Sequence, residues 1–546
     1  MSQNLQNTLT INTCSAAAGM GKTTAAINHV LGQIEKGQRF IIAAPSIALC
    51  DQIYKDCVKA KYGLTDEDLK RRQTAPSNDI VVIHSNNSTN VAMTLSMALQ
   101  RQTSIIIITH SNLLSFNNPK AFTGYSCIID ELPKLYIAGS VKVIAANHGS
   151  ISQWLIPGSK APWYKLDISQ KAQVEAIVAT GATNLYSQSA IDLLQAALNS
   201  SEVHMKQVGN DYYYSFLDLM DFNKQMGSFN QIHILGANFK GTLPYELLEH
   251  YYGATFCTSV IAPHRSSYNN PRRVTIYPLL LNVDVSRSLL DTSYIGSQNR
   301  SNTWTINDEL MEISAQIYRD KSQQYACYTQ NKGRNQSFGH KLNGLGIPNE
   351  FIQYEPHGLN KYMTETYFAA LFSFNPQPYD RWLLNELEND LGLQKDHLVK
   401  AHTTSYYCEA VFQFVTRSNI RDHNSSKDVH IVVPDMRACN YMANGWLQGC
   451  NVDTSYALPM PAPNKGGRPA GFPKTYNLTG AARKAFYTVF LPDFRNKFGR
   501  GPDINNKHDV KAYKTWVRSL NAPQAGSLTN GSQLSSPSKA SSQGTP

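Results

Sequence analysis

No Cys-x-x-Cys pair occurs in the 546 residues, and none of the nine cysteines (14, 50, 57, 127, 257, 327, 408, 439 and 450) forms a cysteine/histidine cluster with zinc spacing. A disulfide framework and a zinc ribbon or finger are thereby excluded. The cysteines are odd in number, and most sit in apolar runs such as Ser126-Cys127-Ile128-Ile129. That is the pattern of buried free thiols in a reducing compartment. Long apolar runs are missing too: no stretch approaches the ~20 residues needed to cross a bilayer, so no membrane partner is expected. The opening MSQNLQNTLTINTCS has neither the basic start nor the apolar middle of a secretion signal. The expected location is therefore cytoplasmic. Charge is scarce as well, with 16% Asp, Glu, Lys and Arg against about 25% in ordinary domains. Because 42% of residues are hydrophobic and 10% aromatic, disorder over most of the length is excluded, and the chain can fill roughly three domains.

What charge there is lies unevenly. The net +10 comes from 50 basic and 40 acidic side chains, yet residues 461–520 alone hold twelve Lys/Arg against three Asp. Lys539 adds one more, which leaves the first 460 residues neutral with 37 charges of each sign. Pro459-Met460-Pro461-Ala462-Pro463 leads into the basic segment as a linker, and residues 521–546 are rich in Ser, Gly, Gln and Pro, a composition that predicts disorder. Helical patterns at 481–490 and 509–520, with Phe472, Tyr476, Phe486, Tyr487, Phe490, Phe494, Phe498, Tyr513 and Trp516 interleaved among the charges, predict a small folded helical module whose Phe and Trp form a core rather than base-stacking platforms. Its charge would supply salt-dependent affinity for a phosphate backbone.

Upstream, short apolar strands alternate with helices. Strands are expected at 8–13, 40–44, 80–84, 104–109 and 125–130, with helices at 24–35, 46–58 and 91–102. Uniformly apolar strands in such an alternation describe a parallel sheet covered on both faces. Residues 141–230 break the rhythm with helices at 170–178 and 188–198 and a hairpin turning at Gly209-Asn210, which reads as an insertion. The pattern resumes at 232–235 and 274–281. A second α/β block over 285–455 follows, with helices at 307–318, 380–391 and 406–420 and strands at 324–329, 367–374 and 429–433.

Two motifs carry chemistry. Ala16-Ala17-Ala18-Gly19-Met20-Gly21-Lys22-Thr23 fits a phosphate-binding loop with alanine at its first position. Small residues there let backbone N–H groups wrap a phosphate at a helix N-terminus, Lys22 reaches the β/γ oxygens, and Thr23 ligates Mg²⁺. The expected nucleotide-binding set is Ala16, Gly19, Gly21, Lys22, Thr23 and Thr24. Asp130-Glu131 ends the apolar strand at 125–130. There Asp130 suits a Mg²⁺ site, and Glu131 suits activation of the attacking water.

In order, these motifs resemble those of the superfamily-2 helicases and translocases, the DEAD/DEAH-like group, over roughly residues 8–455. Ala44-Pro45-Ser46 with Gln52, and Ile108-Thr109-His110, are similar to the family's nucleic-acid-side segments. Asp130-Glu131-Leu132-Pro133 stands where the family has its acidic box. Leu235-Gly236-Ala237-Asn238 stands at the element that links hydrolysis to strand movement. Tyr325 to Asn331 resembles the opening of the second lobe, and Gly358-Leu359-Asn360 the fifth motif. Gln413-Phe414-Val415-Thr416-Arg417-Ser418-Asn419-Ile420-Arg421 resembles the sixth. The resemblance implies two RecA-like lobes that hydrolyse ATP with Mg²⁺. Lys22, Glu131, Gln413, Arg417 and Arg421 would be catalytic, Thr23 and Asp130 would hold the metal, and Pro45, Ser46, Thr109 and His110 would contact nucleic acid.

This chain departs from the pattern at three points. Gln413, Arg417 and Arg421 are spaced 0, +4, +8 rather than 0, +4, +7, so either arginine can be the finger; on a helix both would share a face. Pro133 replaces a polar residue. Almost no chain precedes the first strand to carry an adenine-reading motif, so base preference is open with ATP the default. The expected organisation is α/β: a first lobe at 1–284 with its insertion at 141–230, a second lobe at 285–458, a basic module at 459–520 and a tail at 521–546. Gly467-Arg468-Pro469 resembles an AT-hook core, and Arg468, Arg483 and Lys484 are expected backbone contacts. The Arg-rich helical module favours DNA over RNA as partner, and the compact core is reminiscent of phage and plasmid replication or recombination helicases, which would place it in a host cytoplasm. Two other readings compete. A terminase-like packaging motor would need clustered carboxylates, for which Asp380, Asp422, Asp428 and Asp435 are available; a nucleotide-switched nucleic-acid-binding scaffold would have slow hydrolysis or none.

Overall fold

The computed structural model describes residues 9–71, 79–159, 162–199, 202–263, 265, 267–292, 294, 304–331, 337–353, 361–458, 486, 490–498 and 507–521. The first α/β block forms a seven-stranded sheet in the order Thr255–Thr258, Thr10–Ser15, Ile232–Gly236, Tyr125–Asp130, Arg39–Ala44, Ile105–Thr109, Ile80–Ile83. Every neighbouring pair is parallel. The apolar runs are explained by burial on both faces: Phe40, Ile42 and Ala44 enter one core and Ile41 and Ala43 the other. Helices Lys22–Ile34 and Ile47–Tyr62 cover one of these faces.

The second block forms a six-stranded sheet, Asn349–Phe351, Ala326–Gln330, Tyr367–Leu371, Val429–Asp435, Val274–Leu280, Asn451–Val452, again parallel throughout. The strand Val274–Leu280 was expected in the first lobe. It instead pairs with Val429–Asp435, so the chain crosses between lobes before 274, not at 284. A uniformly apolar strand carries no mark of which parallel sheet it joins.

The expected insertion is a third, antiparallel sheet of five strands from Tyr136–Ile144 to Asp211–Leu219. Helices Lys171–Thr180 and Gln188–Leu198 accompany it, and it has its own core around Leu193, Leu194, Tyr214 and Phe216. It begins only five residues after Glu131, earlier than the expected 141. The hairpin of Val203–Val208 and Asp211–Leu219 is present as expected. Trp382 of helix Pro378–Leu391 packs on Trp163 and His204 of this sheet, with ring centroids 5.1 and 3.6 Å away.

The helix expected at 406–420 is broken. Helix His397–Thr403 passes through a π-helical turn, Thr404–Cys408, into helix Glu409–Val415, and Asn419–Arg421 is a separate 3₁₀ turn. Thr416 ends the helix, and its hydroxyl donates back to the Phe412 carbonyl at 2.8 Å. Arg417 and Arg421 therefore do not share a helical face.

Residues 461–546 form a separate compact unit. Within it, Phe486, Phe490, Phe494 and Tyr513 are buried together with Trp516 packed against them, as the aromatic pattern predicts for a core. Its described helices are Leu491–Phe498 and Lys507–Asn521. Arg468, Arg483, Lys484, the linker from 459, most of the helical pattern at 481–490 and residues 522–546 lie outside the described residues, as does Gly358-Leu359-Asn360. Among the described residues, no helix is long and apolar enough to cross a membrane.

Candidate active site

The strand Thr10–Ser15 ends in the loop that precedes helix Lys22–Ile34. Gly19 and Gly21 both have φ of 81°, the left-handed region glycine occupies without penalty. Gly21 is the helix N-cap and supplies no side-chain cap, so the first helical N–H groups are turned over to an anion. Lys22 Nζ donates to the carbonyls of Ala16 at 2.6 Å and Ala17 at 3.0 Å, which folds the ammonium back over its own loop. Burial lowers the Lys22 pKa, and Asp130, Glu131 and Glu409 oppose that shift. Thr23 Oγ1 donates to Asp130 Oδ2 at 2.8 Å. This hydroxyl–carboxylate pair, oxygen donors side by side, fits a hard divalent cation such as Mg²⁺.

Glu131 follows the strand in a left-handed conformation, φ 71°, which costs a non-glycine residue about 1–3 kcal/mol. Such strain persists where the surroundings hold a side chain in a required place. His110 Nε2–H donates to the Asp130 carbonyl at 3.0 Å, linking the end of strand Ile105–Thr109 to the acidic pair. Thr109 caps the short helix His110–Leu114, and Ser46 caps helix Ile47–Tyr62. His110 thus lines the cleft beside the carboxylates, and Thr109 and Ser46 have local capping roles.

The second lobe closes over this loop. A cleft of about 1080 Å³ is lined by Gly19, Lys22, Thr23, Asp130 and Glu131 from one side and Glu409, Gln413, Arg417 and Arg421 from the other. It extends past Thr24, Pro45 and Gln52. Arg421 lies against Gly19: a β-carbon there would stand 3.0 Å from Arg421 Cγ and Cδ. Arg421 Nε donates to the Thr416 carbonyl at 2.7 Å, so the break in the helix is what turns this arginine toward the loop. Arg417 is only 7% exposed. Burial and the neighbouring Arg421 bring its pKa down to about 10, against the pull of Glu131. Buried cations brought this close together favour a multivalent anion between them. Gly19→Ala should lower turnover at least ~10-fold in a steady-state assay, since ~1–3 kcal/mol of strain converts at 1.4 kcal/mol per decade.

The element at Gly236–Asn238 also reaches across to the second lobe. Asn238 Nδ2 donates to Glu409 Oε2 at 3.0 Å and to Tyr441 OH at 2.7 Å, and Asn238 Oδ1 accepts from Trp446 Nε1 at 2.9 Å. Glu409 further accepts from Tyr441 at 2.6 Å and from Gln413 Nε2 at 3.2 Å. Burial raises the Glu409 pKa, and the hydrogen bonds from Tyr441, Asn238 and Gln413 oppose the rise. Sequence reasoning missed Glu409, Tyr441 and Trp446. Asn238→Ala removes three hydrogen bonds across the lobes, among them the acceptor for Trp446 Nε1, and should destabilise the closed pair by about 1–3 kcal/mol and lower the thermal unfolding midpoint.

Tyr268, in the crossing between lobes, donates to the Ala18 carbonyl at 2.8 Å. Of the carboxylates considered for nuclease chemistry, Asp435 is saturated: it accepts from Val285 N, Tyr407 OH and Arg437 and caps helix Met436–Asn444. Among the described residues, no metal-ligating group forms around Asp380, Asp422, Asp428 or Asp435.

Residues 4–151 match the model of the DEAD/DEAH box helicase family. No curated protein matches the chain. Among solved structures, that of the helicase MrfA bound to DNA has 11% identity and a TM-score of 0.32, covering 82% of this chain and 48% of its own. T4 UvsW has 8% identity and a TM-score of 0.22, covering 84% and 67%. Mss116p bound to ssRNA and AMP-PNP has 10% identity and a TM-score of 0.32, covering 84% and 72%. The chain spans about half the length of the MrfA structure. Across residues 4–151 the chain resembles the DEAD/DEAH box helicases in sequence, and the chain that follows completes two parallel-sheet α/β lobes.

Proposed function

We propose that this chain is an ATP-dependent helicase or translocase acting on nucleic acid, DNA rather than RNA, in replication or recombination. The observation that carries the reading is the cleft in which Lys22, Thr23, Asp130 and Glu131 face Arg417 and Arg421 across two lobes. In this role the loop N–H groups and Lys22 bind the triphosphate, and Glu131 orients and deprotonates the attacking water. Thr23 and Asp130 would hold Mg²⁺, which neutralises phosphate charge when bound. Arg417 and Arg421 meet the γ-phosphate only when the lobes are closed, so the arginines convert occupancy of the loop into closure. Asn238 and Glu409 pass that closure between lobes. His110 connects the acidic pair to the strand-end segment expected to face nucleic acid.

The test is ATP hydrolysis by the full-length protein, alone and with single-stranded DNA, duplex DNA or RNA. Stimulation largest with DNA is expected; an absence of hydrolysis with every polynucleotide would sink the reading. The basic C-terminal unit supplies backbone affinity. Removing 461–546 should therefore weaken DNA binding and flatten the dependence of log K on log salt, each lost phosphate contact changing the slope by about 0.9. Basal hydrolysis should stay within about 3-fold of the full chain, well under the tenfold that 1.4 kcal/mol makes. An unchanged salt slope would remove that unit from the binding mechanism.

A further inference from the structure

Beside the cleft, outside its lining, three metal-ligating side chains converge. Glu246 ends the helical turn Leu243–Glu246, His250 lies in the π-helical turn Leu247–Tyr251, and His397 opens helix His397–Thr403. One carboxylate oxygen and two imidazole nitrogens lie within 4.8 Å of one another. His397 Nε2 is 2.7 Å and His250 Nε2 3.3 Å from the same atom, Glu246 Oε2. Ligands held at ~2.0–2.1 Å around a tetrahedral Zn²⁺ stand roughly 3.4 Å apart; the Glu246–His250 side already has that length, the Glu246–His397 side would open slightly, and the side between the two imidazoles lies within 4.8 Å.

The surroundings support a ligand set. Glu246 Oε1 accepts the Gly241 N–H at 3.0 Å, which orients the carboxylate from behind, as outer partners of metal ligands do. The Glu246 side chain is 8% exposed while those of His250 and His397 are 34% and 37% exposed, so the anchor is buried and the open side faces solvent. Glu249 Oε2, 3.7 Å from His250 Nε2, adds a carboxylate at the rim. The π-helical turn that carries His250 is an irregularity that concentrates at functional sites. Two imidazoles with carboxylate oxygen suit Zn²⁺ better than the all-oxygen preference of Mg²⁺ or Ca²⁺.

We propose that Glu246, His250 and His397 form a Zn²⁺ site that ties the first lobe to the helical run leading to the cleft arginines. That run already meets the first lobe through Leu398, Val399 and Ala401 in the first lobe's core and through two hydrogen bonds, Leu243 N–H to Ser405 Oγ at 2.7 Å and Asn238 to Glu409. The ion adds a fastening at its start.

Chelator-stripped full-length protein, titrated with Zn²⁺ alone by calorimetry, should bind one equivalent. His250→Ala and His397→Gln should each weaken that binding at least ~10-fold. His397→Gln retains a side-chain N–H for Glu246, so the helix contact survives while the imidazole ligand is lost. Co²⁺ in place of Zn²⁺ should give a tetrahedral visible spectrum without thiolate charge transfer, which separates this site from the cysteines. Zn²⁺ should raise the unfolding temperature of the wild type and not of His397→Gln. The proposal is overturned if no stoichiometric Zn²⁺ binds, if both variants bind like wild type, or if the Co²⁺ spectrum shows thiolate ligation. None of these readouts uses ATP, so their failure leaves the hydrolytic reading standing.

Discussion

Lys22→Ala should reduce ATP turnover by at least about 10²–10³-fold, the loss seen when one preorganised donor to developing charge is removed. The ammonium sits between the loop carbonyls of Ala16 and Ala17 and is drawn by Asp130, Glu131 and Glu409. Its removal takes away a cation without taking away the loop. The fold should survive, because the apolar residues of helix Lys22–Ile34 that reach the core, Ala25, Ala26, Ile27 and Val30, are untouched. Glu131→Gln should separate binding from chemistry: nucleotide affinity stays within a few-fold while turnover falls by about 10²–10⁴, the range for a general base. Steady-state ATPase assays with circular dichroism as a fold check measure both. Turnover of Lys22→Ala within tenfold of wild type would remove the loop from catalysis.

Arg417→Ala and Arg421→Ala should each lower turnover by about 10³–10⁵-fold, the worth of an arginine finger. Arg421 rests on Gly19 and is aimed by the Thr416 carbonyl, while Arg417 lies buried beside it with Glu131 in range. Lysine should rescue neither, since it lacks the planar fork that pairs with phosphate oxygens. The larger loss identifies the finger. If both variants hydrolyse ATP at near wild-type rates, closure of the second lobe is not part of the chemistry.

The legible parts of this molecule are those whose chemistry demands residue types at short spacing. Gly19, Gly21, Lys22 and Thr23 must follow a strand and open a helix, so their place in the fold could be read directly. Asp130-Glu131 could be located because an apolar strand ends there, at the C-terminal ends of the parallel strands. The strand Val274–Leu280 was misplaced because a buried parallel strand looks the same in either sheet. The break after Val415 was hidden by the apolar periodicity running through it, and Thr416 turns the chain by an ordinary back-bond. Glu409, Tyr441 and Trp446 were invisible for another reason. They meet Asn238 from 171, 203 and 208 residues away and belong to residue types found on any helix.

Ala16, Ala17 and Met20 of the phosphate loop are buried in the core of the second lobe, together with Ala237 and Tyr268. Opening the cleft therefore hydrates apolar surface. That gives the open–closed equilibrium a heat-capacity change of its own, positive on opening, and makes it curve with temperature. Because apolar burial weakens on cooling, the lobes part more readily in the cold, before any phosphate contact has changed. Nucleotide affinity measured across a temperature series should then bend, and the bend reports how much of the loop's apolar underside each state conceals.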